Sequence, residues 1–355
     1  MYNHWTTPTT VRPPSAPATT IGGRLLSPTA TEAATVALVG STPAWADAVR
    51  EQLYGLHWEF GELKVADFGN LRRSTTDFVL PFLRELHSVG TVPVLIGDQG
   101  EDLARAQYLA PAQQDKVGLT RVDQYVRLSP GGREEAVHSL LDAAVHRNDP
   151  PRYQLTHIGA QRHLTSPSAT HLLRERQYEQ YNLGEARGDI ANLEPAIRDA
   201  EVLQLDIGAV LHSEAPGQQG YHPSGFSLQE TSQLAYYAGN SDRLRSFGLF
   251  GARTDPSLSG TARRLTAAAY AQLLWYFMHG LSLRVGDFPA TATGMVEYIV
   301  EANVPERLVF WRSPRSNRWW IEVSNHLVAC SYEDYLSSSK SGKLTDRVAA
   351  VLQRY

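Results

Sequence analysis

The sequence predicts an α/β protein, a three-layer α/β/α body built on a mainly parallel sheet, with a β-hairpin and helix appended at its C-terminal end. Three observations predict it. Strand-type apolar runs alternate with helix-type segments along most of the chain, the signature of a parallel sheet covered on both faces. From Thr291 the texture changes, and two β-type runs flank a Ser-Pro-Arg-Ser-Asn turn. The composition, 42% apolar and 20% charged over 355 residues, is that of a globular chain large enough to bury its core without staples.

The elements follow in order. "TVALVG" from Thr35 is a strand, and Pro43 to Tyr54 a helix. "LKVADFG" (63–69) is the next strand, and "DFVLPFLRELHSVG" (77–90) a helix stopped at Gly90. "VPVLIGD" (92–98) runs directly into the helix "QGEDLARAQYLA", and "KVGLTRVD" (116–123) is a fourth strand. A helix is expected over 132–147, strand then loop over 153–163, and helix over 171–189. "EPAIRDA" precedes a strand at Val202. A helix over 227–240 opens with Ser227 and Glu230 in a capping box, and "LRSFGLFG" (244–251) is another strand. The long apolar stretch from Leu265 carries Gln272 and His279, and is predicted to be a buried helix leading to a strand, not a membrane span. Three regions result: a flexible Thr/Pro-rich arm over 1–34, the α/β/α domain over 35–290, and the appendage over 291–355.

Several function classes lose support. A net charge of -4 with interspersed signs argues against nucleic acid or anionic membrane as the main partner. The N-terminus has no basic stretch followed by an apolar core, so it is not a secretory signal. The single cysteine, Cys330, allows no intrachain disulfide, which fits a reducing compartment, and the expected location is cytoplasmic. No Gly-x-Gly-x-x-Gly follows "VALVG", and no phosphate-binding Gly-Lys-Ser/Thr loop occurs. No Gly-x-Ser-x-Gly elbow accompanies Ser213 or Ser224 and their neighbouring histidines.

In parallel sheets ligands bind beyond the carboxyl ends of strands. Three strand ends stand out: "VLIGDQG" with Asp98 and Gln99, "GLTRVDQYVRL" with Asp123, Tyr125 and Arg127 in alternation, and "LQLDIGAV" with Asp206 and Gly208. Their order and context resemble the ureohydrolase family of arginase, agmatinase and formimidoylglutamase over roughly residues 36–290. "APGQQGYHPSGFSLQET" resembles that family's loop into a helix, and "FWRSPRSNRWWIEV" resembles an extension on a formimidoylglutamase-like branch.

The resemblance implies an arginase-like fold, an oligomer, and strand ends that hold two manganese ions activating a hydroxide against a guanidino or formimino carbon. It also implies which positions should be ligands. Gln99 stands at the first histidine position, Tyr125 at the second, Arg127 at an aspartate position and Gly208 at another, while Asp123 and Asp206 keep the two bridging carboxylates. The later glutamate expected in "LFGARTDP" is not found, and Gly251 or a neighbour stands there.

Hard divalent ions want carboxylate oxygens, and a guanidinium, protonated at any working pH, repels them. Arg127 is therefore expected to pair with Asp123 or Asp206 and to replace the missing metal charge. The expected protein is a pseudoenzyme without cofactor, acting as a scaffold, assembly or regulatory protein through a protein partner or binding a small molecule in the vestigial pocket. The alternative is a manganese-dependent hydrolase of a guanidino or formimino compound with a remodelled site.

Other residues carry open alternatives. Asp98 is a turn or capping residue. His157, His163, His212 and His222 are the material for a relocated metal site, though their spacing matches no tight pattern. Cys330 is a small buried residue rather than a nucleophile. Trp311, Trp319 and Trp320 either pack the appendage onto the domain or form a partner surface.

Overall fold

A computed structural model describes residues 2–11, 17–27, 34–98, 101–111, 117–127, 153–253, 255–288, 292–302, 307–323 and 326–352. The helix expected over 132–147, the position Gln99, and parts of the N-terminal arm lie outside the described residues.

Nine strands form the main sheet: β1 (Thr6–Thr7), β2 (Val36–Gly40), β3 (Val65–Leu71), β4 (Val92–Ile96), β5 (Val117–Val122), β6 (Tyr153–Ala160), β7 (Glu179–Asn182), β8 (Val202–Asp206) and β9 (Ser246–Phe250). Their order is β1-β3-β2-β4-β9-β8-β5-β6-β7. Only the short β1–β3 pair is antiparallel. Alternate side chains along each strand feed two separate cores, one per face. Leu38, Leu203 and Leu205 pack with the helices Pro43–Leu53, Leu228–Asn240 and Gly260–Ser282. Ala37, Val39 and Val202 pack with the helices Thr76–Ser88, Glu101–Leu109 and Pro167–Glu175. The predicted three layers follow from this alternation. The Ser227–Glu230 capping box is present in full. No helix among the described residues is long and apolar enough to cross a membrane.

Two expectations need correction. The segment 171–189 is not one helix: Pro167–Glu175 ends, Gln177 takes a φ of 57°, and β7 follows before the short helix Leu183–Gly188. β7 reads Glu-Gln-Tyr-Asn, so it offers no apolar run, and it forms because it adds to the open edge of β6. The helix Gly260–Ser282 leads to no strand before residue 288.

Residues 2–11, from the expected flexible arm, lie against the main domain. Tyr2 and Trp5 pack on Phe68, Phe78 and Phe82, and β1 pairs with β3. Gly69, at φ 79°, permits that approach, since a Cβ there would stand 2.0 Å from the Thr7 carbonyl oxygen.

The appendage is a four-stranded antiparallel sheet, β10 (Val296–Glu301), β11 (Arg307–Arg312), β12 (Trp319–Val323) and β13 (His326–Cys330), in sequential order. The predicted hairpin is β11–β12. Two helices, Tyr332–Ser341 and Asp346–Leu352, follow, and Val348 and Val351 join a core with Phe310, Trp319 and Ile321.

The sheet is fastened to the main domain by Arg198. Its guanidinium lies 4.5 Å from the Trp320 ring and donates to the carbonyls of Trp319 at 3.2 Å and Cys330 at 3.2 Å. Trp319 and Trp320 are buried, so they are packing residues and not a partner surface, whereas Trp311 is half-buried and donates to Glu322 at 3.0 Å. Their burial has a plain cause: β12 is an inner strand, covered on one face by helices and on the other by the main domain.

Candidate functional site at the strand ends

The carboxyl ends of β4, β5, β8 and β9 converge on a cleft of about 380 Å³, whose lining includes Asp98, Arg121, Arg127, Gln204, Asp206 and Gly251. The strand order creates this convergence, because β9, β8 and β5 lie side by side at the centre of the sheet and end in "FG", "D" and "VD".

Asp123 follows β5 and is wholly buried. It accepts the Tyr125 backbone N–H at 3.0 Å, Arg121 through Nε at 3.2 Å and Nη2 at 3.0 Å, and Arg127 Nε at 3.0 Å. Burial raises its pKa, but Arg121 and then Arg127 outweigh burial and hold it below the usual carboxylate range.

Asp206 ends β8 and accepts the Gly208 N–H at 2.8 Å and Arg127 Nη2 at 3.3 Å. Its carboxyl is pushed up to about 6, first by burial and next by the charge of Asp123. Gly251 makes room for it. At φ 90°, a Cβ on residue 251 would lie 2.0 Å from Asp206 Oδ1. At Gly208 a Cβ would lie 2.7 Å from Gln124 Nε2 and 2.9 Å from Asp206 Oδ1.

Arg127 spans both acids, and its guanidinium carbon sits 5.1 Å from the Tyr125 ring centroid. Tyr125 is raised above its ordinary pKa, chiefly by burial, so it stays a neutral phenol. Arg121 is the member that the sequence reading missed. It lies two residues before Asp123, on the same strand face, and simple parity with Asp123, Tyr125 and Arg127 would have found it.

The four histidines do not assemble. His157 is buried in β6, its Nε2 3.0 Å from the Tyr125 carbonyl oxygen, which makes it the donor there. Burial lowers its pKa to about 4. His163 packs on His222, and His212 on Tyr221. Among the described residues no group of three or more His, Cys, Asp or Glu is placed to hold a metal.

Asp98 is buried, accepting from Ser41 Oγ at 3.3 Å, and its carbonyl receives the Gly251 N–H at 2.7 Å. Ser213 is exposed, and the Ser224 carbonyl accepts from Gln161. Cys330 is buried and its thiol pKa pushed up by that burial.

Among the described residues the donor set does not fit a pair of divalent ions. Both surviving carboxylates already accept guanidinium N–H groups, and the phenol and the glycine add no anionic oxygen.

No family model matches the sequence, and no curated protein matches it. Solved structures do. A formiminoglutamase from Trypanosoma cruzi, solved with Mn2+2, is 17% identical, covering 72% of this chain and 97% of its own with a TM-score of 0.62. A formimidoylglutamase from Bacillus subtilis is 15% identical, covering 74% and 91% with a TM-score of 0.62. An agmatine ureohydrolase from Thermoplasma volcanium is 16% identical, covering 74% and 94% with a TM-score of 0.57. At such identities the shared property is the architecture: this chain has the α/β/α fold of the arginase superfamily.

Proposed function

We propose that this chain is an arginase-fold pseudoenzyme, without the binuclear manganese site of its fold relatives, that works as a scaffold, assembly or regulatory protein through a protein partner. One observation carries the reading: the Arg127 guanidinium bonds both Asp123 and Asp206, at 3.0 and 3.3 Å. A fixed cation stands where paired dications would need free carboxylate oxygens, and Arg121 adds a second. Buried carboxylates left without a counter-charge would repel, and Arg127 supplies that charge with no metal. The partner role follows from what remains once hydrolysis is set aside, a rigid domain with a docked appendage.

A second reading, a manganese-dependent hydrolase of a guanidino or formimino compound, draws on the manganese in the Trypanosoma cruzi formiminoglutamase and on the two surviving carboxylates. Calorimetric titration with manganese decides between them. Wild type is expected to show no heat up to about 1 mM metal, weaker than roughly -4 kcal/mol of binding. The Arg127→Asp, Gly208→Asp variant is expected to gain measurable affinity, with Gln124 moving aside for the new side chain at 208. Tight binding of a metal pair by wild type sinks the pseudoenzyme reading and sends guanidino and formimino substrates to assay.

A further inference from the structure

β10 is the outermost strand of the appended sheet. β11 pairs along one edge over all six residues without a shift in register, and among the described residues no strand pairs along the other. Such an edge is a template for another strand, and proteins blunt it with proline, lysine, a bulge or shortness. "VEYIVE" carries neither proline nor lysine, and its pairing shows no bulge.

Its side chains alternate. Val300 enters the appendage core and Tyr298 packs on Trp319. Glu297, Ile299 and Glu301 share the opposite face. Ile299 is 49% exposed, and Glu297 and Glu301 are exposed beside it. Val309 and Trp311, directly opposite Ile299 and Glu297 on β11, continue this face, and Glu322 on β12 borders it where Trp320 carries the same face against Arg198 of the main domain. Arg307, opposite Glu301 and 4.0 Å from Glu297, is its one cation among the described strand residues. The face is therefore apolar in the middle and acidic around it.

We propose that β10 is a docking edge that accepts, by strand addition, an extended segment of another protein that carries on one face Lys or Arg four residues apart with an apolar residue midway between them. Backbone hydrogen bonds supply the affinity. Cross-strand pairing sets the cations against Glu297 and Glu301 and the apolar residue against Ile299. A second copy of this chain is the poorer occupant, because the two-fold register centred on Ile299 sets Glu297 of one copy against Glu301 of the other, and opposed like charges destabilise a pair. The inference deepens the scaffold role and rests on it, since the edge is the means by which the partner is held.

The test uses the full chain and two short fluorescent peptides of equal composition, one repeating Lys-Thr-Val-Thr so that Lys and Val alternate along one strand face, the other with the same residues in blocks. Anisotropy measures binding, and hydrogen exchange measures protection of residues 296–301. The alternating peptide is expected to bind about tenfold tighter than the block peptide and to slow exchange in β10. Glu297→Lys with Glu301→Lys is expected to weaken it by about tenfold and to transfer the preference to a Glu/Val peptide. Both positions are exposed, so an unchanged melting temperature verifies that this variant is folded.

Equal binding of the two peptides, binding that survives the double reversal, or unchanged exchange in β10 overturns the proposal. Self-association in sedimentation that protects β10 also overturns it and gives the edge to a second copy. If the peptides do not bind and manganese does not either, the docking edge fails and the scaffold reading stands. If manganese binds tightly, the scaffold reading fails whatever the peptides do.

Discussion

Arg50 and Arg127 each lie between two aspartates, yet the two are held differently. Arg50, fully buried on the helix Pro43–Leu53, donates from Nε and Nη2 to Asp67 at 2.8 and 2.9 Å, and from Nη1 to Asp47 at 2.9 Å. It also donates to Asn70 at 2.6 Å and to the Gly69 carbonyl at 2.8 Å, and Asp67 accepts Tyr54 and the Gly69 N–H as well. Arg127 reaches its second acid at 3.3 Å, keeps 33% of its side chain exposed to the cleft, and leaves Asp206 with a raised pKa. A saturated network of this kind fixes helix to sheet. The looser one neutralises acids at an open site.

The comparison can be broken, most easily at Arg50. Arg50→Met strands Asp67 and Asp47 and is expected to cost about 3–5 kcal/mol in chemical denaturation. A loss under about 1 kcal/mol would make the saturated network no more structural than the cleft.

The next effect is a pH dependence centred on His157, beside the cleft. Its folded pKa of about 4 lies below the ordinary value of 6.5, so between those values the unfolded chain binds the proton and the folded chain does not. Stability is therefore expected to fall as pH drops through that window, by on the order of 3 kcal/mol from this group. His87, buried and also lowered to about 4, adds with the same sign. His157→Gln, which keeps a donor for the Tyr125 carbonyl, is expected to flatten the stability–pH curve. A curve of unchanged steepness assigns the dependence elsewhere.

The smallest effects belong to the cleft network itself. Arg127→Ala is expected to cost about 1–2 kcal/mol at pH 7, less than Arg50→Met, because Arg121 still holds Asp123 and Asp206 can take up a proton. Asp206 has a folded pKa raised above its unfolded value, so its charged form is disfavoured above about 6. As pH falls below that value the folded chain takes up the proton first, and the penalty fades. Asp206→Asn is thus expected to be neutral or stabilising by up to about 1 kcal/mol at pH 7, with the difference shrinking toward pH 5. A large loss in Asp206→Asn would show that the ionised acid and its bond to Arg127 stabilise the fold, against the expected neutral effect.

Much of this molecule was legible in its sequence. The buried strands declared themselves by their apolar runs, and Ser227 with Glu230 marked a helix start that is formed as drawn. That Arg127 pairs with Asp123 or Asp206 was expected from its charge and from the resemblance, and the structure has it reach both. What escaped was set by tertiary context. β7 is polar because an edge strand needs no core face. The docking of Tyr2 and Trp5 depends on a surface made by residues more than sixty positions away. Trp319 and Trp320 look like anchors in the sequence, and only the packing of β12 against Arg198 shows that they are already used. Gly251 has meaning only beside Asp206.

The charges at the base of the appendage tie it to the main domain from both sides. Arg198 belongs to the main domain, and its buried guanidinium is satisfied by carbonyls of β12 and β13. Asp199 receives the Ala329 N–H at 3.0 Å, and Arg347, from the last helix, reaches back 3.4 Å to Glu179 on the sheet edge. Peeling the appendage away would uncover ionised groups from both sides at once, each costly to leave without a partner. The two regions are therefore expected to melt in one transition, which calorimetry checks.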